Sequence, residues 1–487
     1  MAEPAEGVRT EEKHVVEYDA FYIGGRWLAP SSTDRIEVRS PATGELVGST
    51  PKGNAADIDA AVAAARTAFD TGEWPRLSVK ERVEVLISFR DHLQLRAEEL
   101  NALGTRENGV PLAVQPALRA LELFDFTLAA AIDFPFEQER RGILGKRAAI
   151  LREPVGVVAA IVAANGPLLQ AVGKVAPALV SGCTVVLKPP VETPLLTMAL
   201  AEAAEAAGLP AGVLNVVPGD VDAGRHLVGH PDVDKVSFTG SAAAGRQIGA
   251  VCGQQLKRLT LELGGKSAAI VLPDADVDVT ARGIAGGCMA YAGQRCAALS
   301  RAFVPRAQYR QFVDAIVGAV ADLKVGDPMV LDTFVGPLVS ERQLGKVQSH
   351  VAAAIAEGAT VELGGHRIED LPDGWYFEPT VLTDATNDMQ IAREEVFGPV
   401  LCVIPYDTVD EAVAMANDSQ YGLTAAVFSK DRDRAEQVAR SVRAGSIGIN
   451  ASAGEIGLPF GGYKSSGFGR EYSVEAFDSF TEVKAIA

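Results

Sequence analysis

The chain has 487 residues, too many for one hydrophobic core of ordinary size, so two or three domains are expected. It is 48% hydrophobic and 22% charged, the balance of a globular protein rather than a disordered or fibrous one. A formal net charge of −18 argues against a general nucleic-acid or anionic-membrane binder, and the apolar run at 155–164 is far too short to cross a bilayer.

The five cysteines (Cys183, Cys252, Cys288, Cys296, Cys402) are odd in number and lack CxxC spacing, so neither a zinc framework nor a disulfide scaffold is suggested. A reducing, cytoplasmic location is expected. Residues 1–19 are polar, hold five Glu and one Asp, and lack the apolar region of a secretory signal. They read as a disordered leader. Of six histidines, only His226 and His230 share an i,i+4 spacing. No cysteine completes a ligand set there, so no metal is expected.

In chain order, Phe21 to Trp27 reads as a short strand pair about Gly24-Gly25. Ile58, Ala61, Val62, Ala65 and Phe69 recur at helical spacing over 55–69. Further helices are expected over 79–101 and 113–131, then a hairpin arm over 142–152, either a plain surface hairpin or a contact between subunits. From Pro154 the pattern changes to continuous apolar runs, suited to parallel strands buried on both faces. Strands at 155–162, 184–188, 213–217, 235–238 and 258–262 alternate with helices at 168–181, 195–207, 223–228 and 242–252. Such alternation means a doubly wound parallel sheet, whose ligands bind at the carboxyl ends of the strands. Those ends are Asn165, Lys188, Gly219, Thr239-Gly240 and Glu262. A second alternating series begins at Ala268 and runs through strands at 302–304, 376–381, 400–406, 424–429 and 446–450. Residues 326–344 read as mostly loop, followed by a helix over 346–356. The turn Glu262 to Gly265 is then a hinge, and Glu262 and Cys296 face each other across the cleft between two α/β domains. A late strand is expected over 480–486.

A thiol and a carboxylate are a plausible pair for acyl chemistry, the thiol as nucleophile and the carboxylate as base for water. Either alone says little, since a lone cysteine also serves as a small buried hydrophobe.

Several motifs stand in one order: Pro154-Val155-Gly156-Val157 leading to Asn165, Lys188-Pro189-Pro190, Phe238-Thr239-Gly240-Ser241 with Gly245, Leu261 to Lys266, Gly293-Gln294-Arg295-Cys296, Glu395-Val396-Phe397-Gly398-Pro399, and Pro459 to Gly467. Together they resemble the NAD(P)-dependent aldehyde dehydrogenase superfamily over about residues 20–487. The resemblance implies two Rossmann-like parallel-sheet domains with a small β oligomerisation arm. The cofactor-binding domain would span 20–132 and 153–263, the catalytic domain 264–475, and the arm 133–152 with 476–487, giving a homodimer or homotetramer. It implies that Cys296 attacks the aldehyde as thiolate, that the Asn165 amide and the Cys296 backbone N–H hold the oxyanion, and that Glu262 activates water. Relatives that pass the acyl group to coenzyme A commonly lack such a base, so the product implied is a free acid. For NAD, Lys188 would reach the adenosine ribose or a phosphate and Gly240-Ser241 the pyrophosphate, with Gly245 in the following helix. Glu395 and Phe397 would position the nicotinamide ribose and ring. Lys174 matches a family lysine and is read as structural, while Lys464 is read as solvated.

The sequence departs from the family pattern at four sites. Ala164, Gly166 and Gly173 stand where common members carry aromatics, which implies a wider channel for a bulky or ring-bearing aldehyde unless other side chains fill the gap. Val191 stands where many NAD-preferring members carry a glutamate for the ribose 2′-hydroxyl. This leaves NADP use open, with Glu192 one position on as a partial substitute. Arg295 either stabilises the thiolate or pairs with solvent or a carboxylate. Two rival readings are a cysteine-dependent esterase or hydrolase and a non-catalytic family member.

Overall fold

The apolar run after Pro154 becomes strand Val157–Ile161, with all five residues buried. Val158 and Ala160 point into one core with Val185 and Leu187, while Val157, Ala159 and Ile161 point into a second with Val186 and Val236. Both faces carry apolar side chains because helices cover both sides of the sheet, which is why the run does not alternate. In the computed structural model, which describes residues 15–371 and 373–487, five parallel strands lie in the order Arg258–Glu262, Lys235–Thr239, Val157–Ile161, Thr184–Lys188, Leu214–Val216. Antiparallel strands extend both edges, Phe21–Ile23 with Arg26–Leu28 on one side and Gly467–Phe468 on the other. The strand order reverses at Val157–Ile161, so a crevice opens at the carboxyl ends of that strand and of Lys235–Thr239.

The chain leaves this sheet at Glu262 and enters a second one at Ala268. That sheet has seven strands, in the order Thr360–Leu363, Thr380–Thr383, Val400–Tyr406, Arg301–Pro305, Ala268–Val271, Thr424–Phe428, Ser446–Ile449. All neighbours are parallel except the outer pair Thr360–Leu363 and Thr380–Thr383. Its core gathers Ile270, Phe303, Phe312, Leu401 and Val427. The α/β fold with two mainly parallel sheets is therefore as expected.

A third sheet forms the arm. Strand Arg147–Pro154 lies between Glu137–Arg141 and the tail strand Thr481–Ile486, antiparallel to both. At the turn of this hairpin Ile143 and Leu144 are 102% and 88% exposed, the reverse of where isolated apolar side chains gain stability.

Several expectations need correction. Residues 1–14 of the leader lie outside the described residues, but Val16–Glu17 is a strand parallel to Leu46–Pro51, not disordered chain. The antiparallel pair Arg35–Arg39 with Leu46–Pro51 was not expected, although Ile36 and Val38 alternate with exposed charges. The helix expected over 79–101 is two, Val79–Gln94 and Ala97–Asn108, broken at Leu95 and Arg96 without a proline or glycine. Arg96 is held there by Glu99 and Glu202. The strand expected from Tyr376 begins only at Thr380, because Pro379 has no N–H for a ladder. The helix expected from Lys346 starts at Glu341, with the Ser340 hydroxyl accepting from the Gln343 N–H. The chain rejoins the first sheet at Gly467, before the expected boundary at 475, since a two-residue strand leaves no periodic trace.

Candidate active site

Three glycines bring the distant motifs together. A Cβ on Gly265 would lie 2.4 Å from the Cys296 carbonyl oxygen, and one on Gly264 would lie 2.1 Å from a Glu395 carboxylate oxygen. A Cβ on Gly293 would lie 2.0 Å from the Gly398 carbonyl oxygen. These are approaches only glycine permits. They seat the Cys296 loop and the Glu395 loop against the link between the two sheets. Glu395 also accepts the Gly265 backbone N–H at 3.0 Å.

Cys296 follows a turn in which Tyr291, Ala292 and Gly293 all have positive φ (58°, 52° and 69°). Positive φ in a tyrosine and an alanine is strain of the kind stored at functional sites. The thiol is half-buried. Burial, then the carboxylates of Glu395 and Glu262, push its pKa up to about 12, while Arg295 and the Cys296 backbone N–H oppose the rise. Arg295 lies over the Tyr291 ring, 5.8 Å from its centroid, so its charge is stacked rather than lost to solvent.

Glu262 ends its strand opposite Thr239 and Gly467. It is 4% exposed, and neither carboxylate oxygen has a hydrogen-bond partner among the described residues. Burial raises its pKa well above the ordinary carboxylate value; the nearby Glu471 adds to the rise, and Lys174 and Arg470 oppose it. A buried, unpaired carboxyl beside a thiol is poised to take a proton rather than to hold structure.

Asn165, on the turn after the founding strand, donates its side-chain N–H to the Gln294 carbonyl at 2.9 Å, two residues before Cys296. Its oxygen accepts from Gln170 at 2.8 Å, which fixes the amide's orientation. The amide's second N–H remains for a ligand.

At the other strand ends, Lys188 is 7% exposed and donates to the carbonyls of Pro189 (2.8 Å) and Gly219 (2.6 Å). Burial lowers its pKa to about 8, against the pull of Glu192 and Asp220. Its third N–H is free for a ribose or phosphate oxygen, so the site fits a nucleotide. Ser241 caps helix Ala242–Gln255 by accepting from the Ala244 N–H, and its N-terminus faces the crevice, the geometry that favours a pyrophosphate. Gly240 donates its backbone N–H to the Glu262 carbonyl. Gly245 instead packs the helix on Leu263, 2.6 Å from a built Cβ, which serves packing. Phe397 has φ 57°, and the Gln343 side chain donates to the carbonyls of Val396 and Phe397. Glu192 is tied to Arg342 at 2.9 Å. Lys464 is not simply solvated: its ammonium donates to the carbonyls of Asn417 and Ser419.

With the two sheets, the crevice and the thiol–carboxyl–amide grouping in place, comparison with known proteins is decisive. The profile of the aldehyde dehydrogenase family matches residues 27–486. The chain belongs to the aldehyde dehydrogenase family. The family and enzyme class expected from the ordered motifs are thereby borne out. The chain is 43% identical to the geranial dehydrogenase of Castellaniella defragrans, over 97% of this chain and 99% of that one. An aldehyde dehydrogenase of Mycobacterium tuberculosis, solved with NAD+, superposes with a TM-score of 0.95 at 45% identity, covering 97% and 98% of the two chains. One of Pseudomonas syringae, solved with NAD+ and octanal, gives 0.93 at 40% identity over 96% of each.

Within this family member, sequence reasoning missed Glu471, Arg470 and Tyr472. Glu471 is buried and paired with Lys174 at 2.6 Å, and it accepts from Ser237 at 3.2 Å. A lone Arg-Glu-Tyr in a glycine-rich stretch carries no periodic or motif signal. The pairing of Gly467 and Phe468 with Glu262 and Leu261 carries these residues back to the first domain, and the bridge between Phe460 and Glu471 folds the segment on itself.

Two of the positions where family members carry aromatics differ in the space they leave. A Cβ on Gly166 would meet just the Gln170 amide, at 3.6 Å, so that position stays open. At Gly173 the space is taken by Tyr472.

Proposed function

We propose that the chain oxidises an aldehyde to the free carboxylic acid with NAD(P)+, through a covalent intermediate on Cys296. The packing of Gly264 and Gly265 against Glu395 and Cys296 carries the reading, because it assembles nucleophile, base and cofactor-side carboxylate from three distant segments.

The Cys296 thiolate attacks the carbonyl carbon, and the carbonyl oxygen takes the electron pair as an oxyanion. The second N–H of the Asn165 amide and the Cys296 backbone N–H donate to that oxygen. Glu395 and Phe397 would hold the nicotinamide end of NAD+, which when bound would supply the acceptor for the hydride that leaves the carbon. Glu262 then takes a proton from water, whose oxygen attacks the resulting thioester; the thiolate leaves, and the acid departs. A raised carboxyl pKa suits this step: the carboxylate that forms is a stronger base than an ordinary glutamate. Hydrolysis rather than transfer to coenzyme A follows from the presence of Glu262. Lys188, Gly240 and Ser241 hold the adenosine and pyrophosphate side, while Gly245 supports the helix.

NAD is the favoured cofactor, with NADP use open. Val191 removes the carboxylate that would repel a 2′-phosphate, and the Glu192 charge is partly neutralised by Arg342. The arm's exposed apolar tip and its edge strands support assembly into a homodimer or homotetramer. Five free cysteines suit a reducing cytoplasm.

The test is NADH formation, followed by absorbance, over a panel of aldehydes with wild type and Cys296→Ala. Turnover that disappears in the variant supports the covalent route. Activity surviving in the variant overturns it. Ester hydrolysis without nicotinamide would favour the esterase reading, and no turnover with any aldehyde or either cofactor would favour a non-catalytic member.

A further inference from the structure

Gly173 lies on the helix that follows Asn165, one residue before Lys174. A Cβ built on it would stand 2.5 Å from Cε1 and 3.0 Å from Cδ1 of Tyr472, and 3.4 Å from Leu123. The tyrosine ring therefore rests directly on the helix backbone. Its other neighbour is Phe460, stacked at 5.4 Å between centroids and 23° between planes. Tyr472 has φ 65°, a costly conformation for a bulky aromatic. It is held there by the paired hydrogen bonds between Phe460 and Glu471 and by the Gly457 N–H, which donates to the Tyr472 carbonyl. Strain so enforced, next to reacting groups, points to function.

The ring lies over the helix that follows the Asn165 turn, and the side chain feels the charges of Glu471, Cys296 and Glu262. Burial first, then the charges of Glu471, Cys296 and Glu262, hold it protonated. It is a hydrogen-bond donor at every working pH. Its hydroxyl has no hydrogen-bond partner among the described residues, yet it is not sealed from solvent. A donor of this kind loses free energy against a hydrocarbon and gains it against an acceptor.

The geometry points to Tyr472 as a specificity-determining residue: its ring is the aromatic wall of the aldehyde chamber, and its hydroxyl donates to an acceptor oxygen or nitrogen on a flat, ring-bearing aldehyde. This rests on the proposed aldehyde oxidation and names its substrate class. An outer face of the Phe460–Tyr472 stack takes an aryl group, and the hydroxyl selects among aryl aldehydes of equal size.

The experiment compares each methoxybenzaldehyde isomer with the ethylbenzaldehyde of the same pattern, nearly equal in shape but lacking the acceptor. In wild type, at least one isomer should be favoured in kcat/KM by about fivefold, the worth of one neutral hydrogen bond. Tyr472→Phe should bring that ratio close to one, with the change falling in KM. Tyr472→Leu should raise KM for aryl aldehydes by about threefold to tenfold relative to pentanal. Wild type without preference, or a preference kept in Tyr472→Phe, overturns the proposal while aldehyde oxidation stands. Failure of wild type to reduce NAD+ with any aldehyde overturns both.

Discussion

Glu262 is a buried carboxyl whose side chain makes no hydrogen bond among the described residues, and its position trades stability for chemistry. Its folded pKa lies above its unfolded value of about 4.3, so the folded state binds the proton more tightly. The contribution of this side chain to stability is thus greatest at low pH and falls as pH rises from that unfolded value through the raised folded one. Glu262→Gln keeps the shape and removes the charge. The melting-temperature gain of the variant over wild type should therefore grow as pH rises above the unfolded value of about 4.3, in differential scanning calorimetry. The same variant should keep a first-turnover burst of NADH and lose about a hundredfold or more in steady-state rate, because only the hydrolytic step needs the base. A lost burst would place Glu262 in the earlier steps. For Cys296, whose pKa is pushed up to about 12 by burial and two carboxylates, kcat/KM should rise with pH across the neutral and alkaline range as thiolate becomes available.

Among the elements, the link between the sheets is the most constrained. Gly265→Ala would drive a methyl group into the Cys296 carbonyl and displace the nucleophile, with an expected loss of about a hundredfold in kcat/KM. Gly253→Ala is the matched control: a Cβ there meets nothing within 4 Å in helix Ala242–Gln255, and a gain of about 0.5–1 kcal/mol with retained activity is expected. Equal damage from both would show that the loss is not positional. The arm makes its own prediction. Ile143→Glu with Leu144→Glu should lower the mass measured by light scattering if the hairpin tip lies in a subunit contact, and an unchanged mass would make it a plain surface hairpin.

Across the whole molecule, the returning segment is pinned into the first domain by one buried ion pair, Lys174 with Glu471, exposed 0% and 3%. Breaking it by Glu471→Ala leaves a buried ammonium without its partner, at a cost of about 3–5 kcal/mol. Replacing both partners, as Lys174→Met with Glu471→Leu, should restore most of the lost melting temperature. A double variant no better than the single one would mean that the segment is held by its other contacts, such as the pairing of Gly467 and Phe468 with Glu262 and Leu261.

The sequence by itself determined the alternation of strands and helices, the two α/β halves and the ordered motifs. Val157 to Ile161 could be read as a strand buried on both faces because each of its side chains is apolar. Cys296, Glu262, Asn165 and Lys188 stood out as candidates as well, each lying at a strand end or in a motif. Tertiary structure alone decided what surrounds them. No local pattern records that Tyr472 fills the space above Gly173, that Glu471 meets Lys174 or that Glu262 is left without a partner. Periodicity is a property of neighbours in the chain, whereas burial, charge and the pKa of a site depend on segments brought together from far apart.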